Sequence, residues 1–185
     1  KLWLILVASI IFYGFWRFEF VAVMLLSLCT DFFVAKKIEG NNNERLRRGW
    51  LFVSLTINLG LLFYFKYFFF IVDNAVATLH LLGYENFNAP AFNIVLPLGI
   101  SFYTFQTISY TVDVYRGAIR AERDFVLYGC FVTFFPQLVA GPILRGGELL
   151  GQFRSIPKFS ISNVQEGLRR ILCGLFLKVV LADNI

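Results

Sequence analysis

Apolar runs separated by short polar segments set the rhythm of the chain. A helix needs about 20 mostly apolar residues to cross roughly 30 Å of hydrocarbon. Leu2–Trp16 approaches that length, and Phe12, Tyr13, Phe15 and Trp16 read as an interfacial aromatic belt. Lys1 ahead of an apolar run also fits a signal peptide, but no small-x-small cleavage site follows, so a transmembrane helix is the better reading. Phe18–Ala35, Trp50–Val72, Ile94–Tyr115 and Val164–Ala182 follow as further spans, with Pro97 in the first turn of the fourth, where a missing N–H is tolerated. Phe125–Leu144 is equally apolar but interrupted by Pro136 and by Gly141-Pro142. The pattern predicts an all-α fold: a polytopic membrane protein of about five transmembrane helices plus one broken segment, in a single membrane domain over residues 1–185.

Charge assigns sides to the connections. Lys36–Gly49 holds five Lys or Arg, Asp73–Asn93 none, Arg116–Asp124 three and Arg145–Asn163 three. The positive-inside rule makes the first, third and fourth cytoplasmic and Asp73–Asn93 external. Phe125–Leu144 then has both ends on the cytoplasmic side, which a straight span cannot satisfy. A re-entrant segment can, with its Pro and Gly residues supplying the break. The alternative is a kinked span with one mis-assigned loop.

Composition agrees with lipid as solvent. Hydrophobic residues make up 58% and charged residues 16% of the 185, where a soluble domain usually carries about 25% charged. The net charge of +5 sits between apolar runs rather than on one face, which excludes nucleic acid as the natural partner. Cys29, Cys130 and Cys173 lie inside apolar runs and read as small buried hydrophobes. No P-loop, GxSxG, GxGxxG, HExxH or metal-ligand spacing occurs.

Polar residues inside the spans are the candidates for function. In Ile94–Tyr115, Ser101, Thr104, Thr107 and Thr111 form one stripe, and Gln106, Ser109 and Asp113 form another on roughly the opposite side. Hydroxyls at such positions commonly bond neighbouring helices; Gln106 and Asp113 are costlier to bury and better suited to line a path. Gln137 directly follows Pro136 at the break, and Arg145 lies just past it. Lys66 can snorkel from the third span or pair there. Lys178 and Asp183 are placed to form an ion pair at the end of the last span. His80, the only histidine, has no ligand or triad partner at useful spacing and reads as a surface residue in the external connection.

Four stretches in series carry a resemblance: Phe63–Tyr67 (FYFKY), Leu96–Gly117 (LPLGISFYTFQTISYTVDVYRG), Phe134–Arg145 (FFPQLVAGPILR) and Gly167–Ile185 (GLRRILCGLFLKVVLADNI). Together they resemble the bacterial branch of the membrane-bound O-acyltransferases, the alginate O-acetyltransferase type, and the likeness extends over essentially the whole chain. It implies a central membrane-embedded channel in a multi-pass protein of the bacterial inner membrane. It also implies a cytoplasmic acyl thioester donor (acetyl-CoA or an acyl carrier) as substrate with no bound cofactor or metal. The acyl group would pass to periplasmic acetylation proteins and a polysaccharide acceptor such as alginate. Gln106, Asp113 and Gln137 then belong to the wall of the donor path. Arg145 is either a bidentate contact for donor phosphates or an ordinary positive-inside anchor. Transfer in such proteins uses a buried histidine, expected downstream of Ile185, so residues 1–185 alone are expected to be inactive. The absence of an initiator Met and the stop just after a span lead to the same expectation of a longer parent. A transporter or channel subunit would explain the broken segment equally well, although no inverted repeat is visible.

Overall fold

The computed structural model describes residues 1–82, 95–138, 141–142, 144–155 and 159–184, the side chain of residue 69 apart. Every regular element among these residues is helical, and there is no strand. The chain divides into two compact units, Lys1–Arg154 and Ser155–Ile185.

In the first unit, α1 (Leu2–Trp16) leads to α2 (Glu19–Glu39), which begins on an acidic residue and carries Lys36 and Lys37 in its last turn, as the helix dipole favours. Asn43 caps α3 (Glu44–Leu62), its side chain accepting from the Arg45 N–H at 3.0 Å. The basic residues Arg45, Arg47 and Arg48 therefore belong to the first turns of a helix rather than to a loop.

Helical backbone does not stop at Val72. A π-helical turn over Phe63–Tyr67 runs directly into α4 (Phe68–Leu81). This corrects the reading of 73–93 as a plain connection, for residues 73–81 are helical and His80 sits in the last turn of α4. The local cause is the lack of Gly or Pro between 61 and 82. Asn74 and Thr78 bond the carbonyls four residues back, at 2.5 and 2.7 Å, so their side chains are satisfied within the helix. The rest of 73–93, from residue 83 on, lies outside the described residues. Lys66, in the π turn, donates to Ser101 Oγ at 3.3 Å instead of reaching outward alone.

Helix α5 (Ile100–Tyr115) starts at Gly99, whose φ of 69° is left-handed. A Cβ at Gly99 would lie 2.5 Å from the Leu138 carbonyl oxygen, so only glycine fits on both counts. Asp124 caps α6 (Phe125–Thr133) by accepting from the N–H groups of Val126 and Leu127. The helix breaks at Phe134, and a single turn, α7 (Phe135–Leu138), follows. Pro136 thus sits in the first turn of a new helix, where its missing N–H costs nothing; the break falls ahead of the proline instead of at it.

The broken segment lies antiparallel to α5. The Tyr110 and Tyr128 rings meet at 4.7 Å, tilted by 45°, Gln106 Nε2 donates to the Phe131 carbonyl at 2.8 Å, and Gly99 meets Leu138. By Gly146, at the start of α8 (Gly146–Arg154), the chain is back beside Tyr110 and Ile119. One end of this unit gathers residues from all three basic segments. There Arg47 bonds the Tyr115 carbonyl, Arg123 pairs with Glu39 at 2.8 Å, and Arg154 pairs with Glu122.

The buried core of this unit is mostly apolar but encloses a polar cluster, and large apolar side chains lie on its surface. Ser27, Asp31, Ser54, Asn58, Thr107 and Thr111 are fully buried, whereas Phe15, Phe18 and Phe52 are 86%, 80% and 71% exposed. Exposed apolar side chains around buried, hydrogen-bonded polar ones suit a bilayer, where the exterior is solvated by lipid. Tyr13 is fully buried and belongs to the core, not to an interfacial belt. By length and composition alone, one helix among the described residues is long and apolar enough to cross a membrane, Glu44–Tyr67; Leu2–Trp16, Phe70–Leu81 and Phe125–Leu138 are shorter apolar helices.

The second unit is one helix, α9 (Ile161–Phe176), continuing into a π-helical segment, Leu177–Ala182. Its first half is amphipathic, with Ile161, Val164, Leu168 and Leu172 on one face and the Glu166–Arg170 pair on the other. Cys173 is exposed on this helix, in contrast to buried Cys130 and half-buried Cys29.

Candidate functional site

Helix α5 presents two working faces. One lines a groove of about 420 Å³ formed by Phe105, Ile108, Ser109, Val112, Asp113 and Arg116, with Arg145 from beyond the broken segment completing it. The α5 residues recur at i, i+3, i+4, i+7, i+8 and i+11, one continuous helical stripe. Asp113 and Arg145 thus meet, as does Ser109 from the same predicted stripe. Phe105, Ile108 and Val112 make one part of the groove apolar, while Asp113, Arg116 and Arg145 concentrate charge. Among the described residues neither guanidinium is in an ion pair, so both are available to an anionic group.

The other sequence candidates lie elsewhere. Gln106 is 3% exposed and is spent on the Phe131 carbonyl, near the end of α6 where carbonyls lose their intrahelical partners. It joins α5 to the broken segment and does not line the groove. Gln137, on α7, is also buried, and its Nε2 has no hydrogen-bond partner among the described residues. Lys178 and Asp183 come within 3.8 Å of each other in the second unit, but both are more than half exposed. A pair so exposed contributes at most about 1 kcal/mol. No group of three or more His, Cys, Asp or Glu able to hold a metal occurs among the described residues.

The opposite face of α5 carries a polar cluster centred on Asp31 of α2. Asp31 Oδ1 accepts from Ser54 Oγ and, at 3.0 Å, from Thr111 Oγ1; Oδ2 accepts from Asn58 Nδ2 at 2.7 Å. Asn58 Oδ1 in turn accepts from Ser27 Oγ at 2.5 Å, with Thr107 Oγ1 at 3.5 Å. Three helices are tied through one carboxylate, which is in no ion pair among the described residues. The hydroxyl stripe of α5 thus bonds neighbouring helices at Thr107 and Thr111, and Ser101 bonds Lys66. Sequence reasoning passed over Asp31 and Asn58. The signal was present, for a carboxylate inside the apolar run Phe18–Ala35 is costly unless it is satisfied. Hydrogen bonds inside membranes average about 0.6 kcal/mol, so the three to Asp31 together contribute about 2 kcal/mol.

The chain is similar to bacterial O-acetylating proteins. It is 37% identical over 184 residues to "Probable alginate O-acetylase AlgI" of Pseudomonas syringae pv. tomato, a match that covers 98% of the chain and 35% of that relative. The protein of the same name from Pseudomonas putida is 38% identical, with 98% of the chain and 37% of the relative covered. "Peptidoglycan O-acetyltransferase" of Helicobacter pylori is 34% identical, with all of the chain and 38% of the relative covered. The chain spans little more than a third of the length of these relatives. No family model matches it, and neither does any solved structure.

Proposed function

Because the chain belongs to the alginate O-acetylase type of membrane-bound O-acyltransferase, we propose that it forms the donor-side wall of an acetyl-transfer path across the bacterial inner membrane. The observation that carries this reading is the meeting of Asp113 and Arg145 in one groove beside α5. Arg145 and Arg116 supply planar, permanently charged forks suited to phosphate or carboxylate. Phe105, Ile108 and Val112 suit the uncharged arm of a thioester donor, acetyl-CoA or an acyl carrier. The acetyl group then passes outward, through periplasmic acetylation partners, to a cell-surface polysaccharide hydroxyl.

In this reading five helical regions cross the bilayer and Phe125–Leu144 is re-entrant. Residues 36–49 lie in the cytoplasm, as do the ends of the re-entrant segment, and residues 73–93 lie outside. Supporting this topology are the gathering of the basic segments at one end of the first unit and the return of the chain to Tyr110 at Gly146. His80 is not among the groove residues. General base catalysis needs a base within about 2.6–3.2 Å of the proton it removes. We assign that role to a histidine from the part of the protein matching the relatives' remaining length, and expect residues 1–185 alone to be inactive.

Acetyl transfer by the full-length protein, reconstituted with its partners, tests the reading. Arg145→Ala should raise KM for the thioester donor with kcat nearly unchanged. An unchanged KM would remove Arg145 and its groove from the donor path.

A further inference from the structure

The two faces of α5 are mechanically coupled. Thr111, bonded to Asp31, and Asp113, lining the groove, are two residues apart and so about 200° apart around the helix. Whatever fixes the rotation of α5 at Thr111 therefore fixes where Ser109, Asp113 and Arg116 point. Apolar packing alone defines that rotation weakly in lipid, because lipid tails solvate an apolar helix face as well as another helix does. A fully buried carboxylate held by donors from two further positions, Ser54 and Asn58, defines it sharply.

We propose that Asp31 and Asn58 form a carboxylate–amide clasp in which Asp31 is a positioning residue, setting α5 against α2 and α3 so that the groove stays open. The proposal rests on the groove being the donor path only for its effect on acetyl transfer; its effect on groove geometry stands apart from that. The hydrogen-bond inventory has a specific consequence. The clasp needs one carboxylate and one amide but does not require the carboxylate to be on α2. With Asp31→Asn and Asn58→Asp together, the new amide at 31 donates to the new carboxylate at 58, while its carbonyl still accepts from Ser54 and Thr111. Ser27 and Thr107 then donate to the carboxylate at 58. The bond from Asn58 to the Ser54 carbonyl, at 3.0 Å, is lost and a carboxylate oxygen faces that carbonyl instead, while one N–H of the amide at 31 stays unused, so the exchange restores the match in large part and not in full. The single changes differ. Asn58→Asp sets two carboxylates side by side in a buried site, whereas Asp31→Asn costs less, because its carbonyl can accept from Asn58 and its N–H groups can donate to the Ser54 and Thr111 hydroxyls.

The test uses the full-length protein in native membranes, in a background lacking the three native cysteines. A cysteine at Val112 reports on the groove through its rate of reaction with a membrane-permeant maleimide, and acetyl transfer and membrane abundance are measured alongside. We expect the labelling rate and transfer to fall about tenfold in Asn58→Asp and less in Asp31→Asn. The double exchange should restore both to within about threefold of the parent, a coupling of the size seen for contacting residues. If Asn58→Asp does not accumulate, the double exchange alone decides. Failure of the exchange to restore labelling, at normal abundance, would overturn the clasp and place a specific need for a carboxylate at position 31. Parent-like labelling in every variant would also overturn it. Labelling that follows this order while acetyl transfer is indifferent would uphold the clasp and refute the groove as donor path.

Discussion

Arg154, the last residue of α8, donates from Nη2 to Oε2 of Glu122, which lies just ahead of α6. The two residues flank the broken segment, and their contact brings its ends together. Glu122 is 5% exposed at its side chain, and its other oxygen accepts from the Arg123 and Asp124 N–H groups at 2.8 and 3.1 Å. Its own N–H donates to the Tyr110 hydroxyl at 2.7 Å. In the re-entrant reading proposed above, this knot holds the two ends of the hairpin at one level, and the knot can be tested.

Single cysteines at Arg120 and Glu148, in a background lacking the native three, should behave alike. Both should resist an impermeant thiol reagent on intact cells and react in inverted membranes. Labelling of Glu148→Cys from outside while Arg120→Cys stays protected would make Phe125–Leu144 a true span.

The knot also predicts an unequal cost of removing its two partners. Glu122→Ala deprives two backbone donors and one guanidinium of their acceptor and should destabilise the protein by about 1–3 kcal/mol. Arg154 is 64% exposed at its side chain, so water can replace much of what Arg154→Ala removes, and about 1 kcal/mol or less is expected. Thermal melts in detergent should place the Glu122 variant clearly below the Arg154 variant. The reverse order would show that the guanidinium, not the loop's N–H groups, is what the carboxylate serves.

Gly99→Ala should be among the most damaging small changes in the chain. It demands a left-handed backbone from an L-residue, at about 1–2 kcal/mol, and drives a methyl into the Leu138 carbonyl. Gly60→Ala, where a Cβ meets nothing within 4 Å, should be neutral or stabilise by up to about 1 kcal/mol. Equal membrane abundance of the two variants would mean that α7 does not bear on the start of α5.

Gln137→Leu and Asp113→Leu should reduce acetyl transfer by the full-length protein more than they reduce its abundance. Gln137 carries a buried amide whose N–H donors have no partner among the described residues, and Asp113 lines the groove. Both side chains are expensive to keep at membrane depth if packing is their only task. Parallel loss of activity and abundance would reduce both to packing residues.

Helical character, the interruption near Pro136 and the clustering of Lys and Arg in three segments were all legible in the residues, because each arises from local chemistry. Hydrophobic run length, a missing N–H and charge beside a span act over a few neighbours. Thus Asp113 and Arg145 could be nominated one by one, and the hydroxyl stripe of α5 could be drawn. The role of Gln106 could not be drawn, because the carbonyl it bonds belongs to Phe131 on α6. Nor could the absence of a loop at 73–81, where a π turn carries helix onward past the expected span.

What the sequence by itself pointed to is lipid as solvent and the order of the long apolar helices, since apolar length and charge placement are properties of contiguous residues; α8, inside a segment that read as a connection, was not among them. Only the tertiary structure decided which polar groups are spent and which remain open. Asp31 finds three donors on α3 and α5, Gln106 finds a carbonyl, and Asp113 and Arg145 are left facing one groove. The physical reason is that a hydrogen bond is satisfied by proximity within a few ångströms, and residues distant along the chain reach that proximity only when the helices pack.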